Sequence, residues 1–258
     1  VDVGAIDPLP QLADLAAREG LWFHVDGAFG ALGMLAPDIA PKLAGIERAD
    51  SIAFDFHKWL QVPYDAGFVL VRDGDLHLST FAMPVAYLGR DARGMAAGSP
   101  WPCDFGPDLS RSFKALKTWF TLKVYGTEHL GRMISATCGL ARYLAGRVEA
   151  QGDLELLAPV ALNIVCFRHR GREGVNVNLL NAALVVALQE SGIAAPSTTM
   201  IGEHLAIRCA FVNHRTLPGD VDALLMAVLE QGAQLLASGN FQMENAPGGF
   251  GIRQDASE

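Results

Sequence analysis

A chain of 258 residues, half of them hydrophobic, is long enough to bury a sizeable core in one or two domains. Its formal net charge of −8, with no Lys/Arg-rich run, excludes nucleic acid or an anionic membrane as the principal partner and leaves room for a small anionic ligand held by local positive groups. No stretch nears the roughly 20 apolar residues of a membrane span and no basic-then-apolar leader opens the chain, so a cytoplasmic location is expected.

The opening Val1-Asp-Val-Gly leaves no room for a strand and crossover and reads as an internal starting point. Asp7-Pro8 then supplies a capping acid and a proline for a helix start, after which Leu9, Leu12, Leu15 and Ala16 recur at helical spacing until Gly20. A first strand is expected over residues 22–26, ending at Asp26. A Pro-interrupted helical connection leads to a second over 51–56, and an apolar run makes a third over 67–72. Strands alternating with helical segments predict right-handed crossovers and a largely parallel sheet, the close pair around Lys58 being free to run antiparallel. Ligands of such sheets bind outside the strand ends.

Periodicity fades over residues 73–107, which include Gly89-Arg-Asp-Ala-Arg-Gly94 and Ser99-Pro-Trp-Pro-Cys103; a loop of that length marks a functional or mobile segment. Leu109, Phe113, Leu116 and Phe120 predict a helix from Asp108 to a stop at Gly126, and residues 130–148 another. A second, smaller α+β unit is expected from residue 127, with strands over 161–167 and 205–212 and helices over 177–189 and 221–236. The division is therefore residues 1–126 and 127–258. Cys103, Cys138, Cys166 and Cys209 are scattered with no Cys-x-x-Cys pair, which speaks against a zinc site or disulfide framework and for reduced, buried thiols.

Two segments carry chemistry. Asp50-Ser-Ile-Ala-Phe-Asp-Phe-His57-Lys58, followed by Trp59, ends an apolar run on a lysine, and Leu21-Trp-Phe-His24-Val-Asp26-Gly-Ala28 ends one on a carboxylate before a Gly-Ala-Phe-Gly turn. An isolated Asp there is ordinarily a cap or turn former and an isolated Lys is ordinarily solvated. Paired at neighbouring strand ends, they are the minimal constellation for pyridoxal 5'-phosphate, the amine making the Schiff base and the carboxylate pairing with the pyridinium nitrogen. His24 reads as structural.

Both segments resemble the group II pyridoxal-dependent amino acid decarboxylases, whose hallmarks are His-Val-Asp-Ala-Ala and an Asp-Ser run ending in His-Lys-Trp. The resemblance extends to Ile-Arg208-Cys-Ala-Phe and to Asn213-His-Arg-Thr216 in the second unit. It implies an α/β fold, part of a fold type I large domain with a mostly parallel sheet, followed by a small α+β domain. It also implies decarboxylation of an L-amino acid, in a homodimer, by catalytic residues Lys58 and Asp26. Lys58, Asp26, Ala28 and His57 would bind the cofactor, Ala28 packing on one ring face and His57 lying near the phosphate, and Arg111 matches a family arginine. The family's phosphate-binding segment and ring-stacking residue belong to a portion preceding Val1.

The chain departs from the family at several places. Asp55 stands where the animal aromatic amino acid enzymes often have Asn, and a carboxylate there would repel a phosphate. Gly27 replaces a common Ala, and Phe29 a Tyr or Trp, changing pocket shape. The family's loop Tyr, which protonates the carbanion, has no counterpart between Gly94 and Arg111; Pro102 falls closest, and Tyr87 aligns with a different Tyr. Another fold type I enzyme, a carbon–carbon lyase or aldehyde-forming synthase, and a non-catalytic dimerising subunit are the competing readings.

Overall fold

Helix α1, Leu9–Glu19, buries Leu9, Ala13 and Ala16 on one stripe, and these pack with Phe23, Ile46 and Ala49. Leu12 and Leu15, expected on that stripe, are exposed. The i, i+4, i+7 spacing of Leu9, Ala13 and Ala16 sets the packed face instead. The helix ends as predicted at Gly20, whose φ of 63° only glycine adopts freely and whose N–H bonds to Ala16 O. Its start differs: Pro8 occupies the cap position with no side-chain cap, and Asp7 contributes its backbone carbonyl to Leu9 N.

In the computed structural model, which describes residues 2–83, 86–239 and 241, the chain divides into two compact units. One comprises residues 3–138 and the other runs from residue 139 onward, together with Asp2. The first holds a three-stranded sheet of β1 (His24–Asp26), β2 (Ser51–Asp55) and β3 (Gly67–Val71) in that spatial order. β1 and β2 are parallel, with Asp26 opposite Ala53; β2 and β3 are antiparallel, with Asp55 opposite Gly67. The sheet among the described residues is therefore evenly divided rather than largely parallel, and the close pair around Lys58 is the antiparallel one. A short connection can return a chain alongside itself only antiparallel, since a parallel return needs a longer crossover.

The strands are shorter than predicted. Phe23 N is drawn to the Asp50 carboxylate and Trp22 Nε1 to Ser51 Oγ, outside the ladder, while Phe56 opens the one-turn helix α2 (Phe56–Trp59). The β1-to-β2 connection is three 3-10 turns, Ala31–Leu35, Ala40–Leu43 and Ile46–Arg48, which suits a stretch interrupted by Pro37 and Pro41. Part of the stretch expected to be a loop is helix α3 (Gly74–Phe81), capped by the Asp73 side chain accepting from Leu76 N. Helix α4 (Lys114–Tyr125) begins at Lys114 rather than Asp108, the preceding chain being held in non-helical form by bonds such as Arg111 Nη2 to Pro102 O at 2.7 Å. It stops at Gly126 as predicted. Helix α5, Thr127–Glu149, carries the chain from one unit into the next. Its Gly131 lies so close to the 3-10 turn that a Cβ would stand 1.9 Å from Leu35 O.

In the second unit, β4 (Leu154–Leu156), β5 (Ile164–His169), β6 (Ser197–Ile201) and β7 (His204–Ala210) form an antiparallel sheet in the order β4-β5-β7-β6. It is joined by helices α6 (Val177–Glu190) and α7 (Pro218–Ser238). Phe167, Leu184, Leu188, Ile207, Leu225 and Val228 lie in its core. The two central strands and both helices are the predicted ones, moved by a few residues. The edge strands β4 and β6 carry no continuous apolar run and were not expected. No helix among the described residues is long and apolar enough to cross a membrane.

Candidate active site at the ends of the parallel pair

The parallel pairing of β1 with β2 brings two of the predicted residues to the same edge of the sheet. Asp26 is the last residue of β1, and Lys58 follows the end of β2 on helix α2. Gly27 N bonds to Ala53 O at 2.8 Å, extending the contact one residue past the strand before the chain turns away. In this turn glycine avoids a close approach: a Cβ at position 27 would lie 2.4 Å from Ala31 Cβ. Asp26 is exposed; its Oδ1 accepts from Ala28 N at 3.1 Å, and its Oδ2 has no partner among the described residues. Half-buried Ala28 thus sits in a turn organised by Asp26 itself.

Lys58 Nζ lies 2.7 Å from Asp55 Oδ2. The same oxygen lies 3.8 Å from His57 Nε2. His57 Nδ1 accepts from Ala66 N at 3.0 Å, and Tyr64 lies against the imidazole with ring centroids 4.2 Å apart. The predicted cofactor residues therefore fall into two groups, Asp26 with Ala28 on β1 and its turn, and His57 with Lys58 on α2. Asp55, noted in the sequence only as a departure, binds the second group together. Its i, i+3 spacing from Lys58 across the start of a helix was the available signal.

The remaining candidates are placed apart from these contacts. His24 Nδ1 and Trp22 Nε1 both bond to Ser51 Oγ, at 2.7 and 2.8 Å, in agreement with a structural role for His24. Phe29 stacks on the fully buried Trp59, whose Nε1 donates to Thr137 Oγ1 at 3.1 Å, so its ring serves the interior. Tyr87 and Arg90 line a cavity of about 590 Å³ with Phe81, Asp104 and Leu109, and none of Asp26, His57 and Lys58 lines it. Arg90 lies over the Trp101 ring at 3.5 Å and pairs with Asp104 at 2.6 Å, which organises the segment carrying Pro102.

The donor set fits pyridoxal 5'-phosphate. It offers a lysine amine, and a carboxylate with one uncommitted oxygen, at the ends of adjacent strands. No cluster of His, Cys, Asp or Glu among the described residues could hold a metal ion.

The family model described as the pyridoxal-dependent decarboxylase conserved domain matches residues 2–170. The chain is 36% identical over 228 residues to an aromatic-L-amino-acid decarboxylase of Bacillus atrophaeus, an alignment covering 87% of this chain and 47% of that protein. Among solved structures it is similar to Oryza sativa TDC with PLP and tryptamine, with a TM-score of 0.82 and 25% identity over 91% of this chain and 49% of the other. It is likewise similar to Rhodiola rosea 4-hydroxyphenylacetaldehyde synthase, with a TM-score of 0.78 and 26% identity over 91% and 48%. The chain spans about half the length of the curated relatives it matches.

Proposed function

The chain belongs to the pyridoxal-dependent decarboxylase family, with the α/β architecture of fold type I enzymes, and from that premise we propose that it takes part in decarboxylating an L-amino acid to the amine and carbon dioxide with pyridoxal 5'-phosphate held on Lys58. The observation that carries the reading is the parallel register that sets Asp26, with its free Oδ2, at the strand end next to the one followed by Lys58. When bound, the cofactor supplies an electron sink for the pair left on the α-carbon as carbon dioxide departs. Lys58 Nζ is the covalent anchor. Asp26 Oδ2 holds the proton of the ring nitrogen, Oδ1 being kept in place by Ala28 N, and Ala28 offers a small apolar surface. His57 stands beside Lys58 with Nε2 as its donor, because Nδ1 is already an acceptor, and is suited to an anionic group.

The reading includes residues 1–126 as part of the cofactor-binding domain and residues 127–258 as a smaller domain. It extends to a cytoplasmic homodimer with no nucleic-acid or membrane partner. The exposed apolar side chains Phe113, Trp119, Phe120 and Val124, on and beside α4, support a subunit contact, and the free cysteines suit a reducing compartment. An aldehyde-forming synthase is the second reading. It is favoured by the lack of any Tyr between Gly94 and Arg111, and product analysis for aldehyde and ammonia against amine separates the two. Borohydride reduction of the cofactor-loaded protein followed by peptide mapping should label Lys58; a label on Lys114, Lys117 or Lys123 would overturn the assignment.

A further inference from the structure

We infer that Asp55 is the proton acceptor for the Lys58 amine, a positioning residue that holds the amine in place and takes the proton it must release before it can bond to a carbonyl carbon. The inference rests on the reading of Lys58 as the anchor. Asp55 Oδ2 lies 2.7 Å from Nζ, and Nζ has no other partner among the described residues.

The carboxylate is itself flanked by His57 and Gly67. His57 Nδ1 accepts from Ala66 N–H, so the imidazole proton sits on Nε2, which faces the same Oδ2 at 3.8 Å. The other oxygen, Oδ1, faces Gly67, the residue opposite Asp55 in the antiparallel ladder, where a Cβ would come within 3.2 Å of it. The side chains of Asp55, His57 and Lys58 are only 21%, 11% and 37% exposed, so the pair is partly shielded from water. The family's alternative residue at this position, asparagine, could match the shape and the hydrogen bond to Lys58. It could not carry a proton.

The step balances as follows. One proton passes from Lys58 Nζ to Asp55 Oδ2, and the freed lone pair forms a C–N bond to the carbonyl carbon while the C=O pair moves to oxygen. The proton held on Asp55 and a second from the nitrogen leave with that oxygen as water. A protonated C=N bond and a regenerated carboxylate remain. No oxidant or reductant takes part.

The test compares the wild-type chain with Asp55→Asn and Asp55→Ala, using pyridoxal without its phosphate as the probe, so that loss of a negative charge cannot help by relieving repulsion. The rate of covalent capture is followed by absorbance, and the site is fixed by borohydride reduction and peptide mapping. Both variants should capture the probe at Lys58 about a hundredfold more slowly, the lower end of what a positioned acid–base group contributes. Formate should restore the Asp55→Ala rate by about tenfold or more while leaving wild type unchanged, which a merely structural role would not produce. Capture by Asp55→Asn at the wild-type rate or faster would mean that the carboxylate only parks the ammonium, and it overturns the inference. So does a folded Asp55→Ala that formate does not rescue. A wild-type label on another lysine overturns the Lys58 reading and this inference together, whereas failure of the inference alone leaves the label on Lys58.

Discussion

Replacing Asp26 by asparagine separates the proposed chemical role of this residue from any structural one. Asp26 is exposed and its side chain makes a single hydrogen bond among the described residues, accepting Ala28 N–H on Oδ1 at 3.1 Å. Asparagine keeps an acceptor at that place, so the stability should change by less than about 0.5 kcal/mol, as for surface substitutions away from special features. Toward the cofactor the change is drastic. In the proposed role, the free Oδ2 acceptor would become an NH2 donor toward the N–H of the pyridine ring, which would remove a charge-assisted hydrogen bond of roughly 1.5–3 kcal/mol. At about 1.36 kcal/mol per decade this alone slows the reaction by roughly 10- to 150-fold, and a ring nitrogen that no longer holds its proton loses the electron sink as well. The expected fall in carbon dioxide release per bound cofactor is therefore at least about a hundredfold. The assay measures release from an amino acid panel at equal cofactor loading, with urea unfolding of the same samples. Turnover within about threefold of wild type refutes the role, and so does a matching loss of activity and of more than about 2 kcal/mol of stability, which would make Asp26 a structural residue.

Two glycines and one buried histidine give further expectations. Gly131→Ala would drive a Cβ to 1.9 Å from Leu35 O, a backbone atom that cannot rotate away, so the urea midpoint should show a loss of about 3 kcal/mol, the upper end of overpacking costs. An unchanged midpoint would mean that the helix is free to slide. Gly27→Ala, which places a Cβ 2.4 Å from Ala31 Cβ, should cost about 1–3 kcal/mol even though alanine is common there in the family; neutrality would show that the turn repacks. Burial holds the His169 imidazole below its ordinary range, against a weaker upward pull from Asp153. The fold therefore keeps it neutral while the unfolded chain takes up a proton at about pH 6.5. Its contribution is fully present above that pH and is lost as the pH falls below it toward the folded value. Stability of the wild type should decline more steeply than that of His169→Gln between pH 7.5 and 5, and equal slopes would refute the assignment.

Much of the molecule could be read along the chain because its signals are local. The stops of α1 at Gly20 and α4 at Gly126 depend on glycine adopting positive φ at those positions, and the central strands β5 and β7 are apolar runs that announce burial. The edge strands β4 and β6 were silent, since a strand with one free edge and exposed positions has no need of a continuous apolar run. Helix α3 was hidden because its eight residues bury none of their side chains, so no apolar stripe betrays it, although the Asp73 cap was there to be seen.

For the site, the types and order of the residues were what singled out Asp26 and Lys58 as candidates. Their placement at the same end of two paired strands was decided by the pairing of His24–Asp26 with Ser51–Ala53, a contact across some 27 residues that no local preference encodes. The contact of Asp55 with Lys58 was decided the same way. In the sequence Asp55 is a carboxylate where an amide is common and a hazard to a phosphate; in the fold, the end of β2 and the single turn of α2 bring Nζ to 2.7 Å from Oδ2. The short antiparallel return to β3 adds Gly67 and the Ala66 N–H that orients His57. Composition and spacing determine which groups a chain can offer to a reaction. Which of them face one another follows from backbone pairing, because hydrogen-bonded strands lock positions far apart in sequence to within about 5 Å.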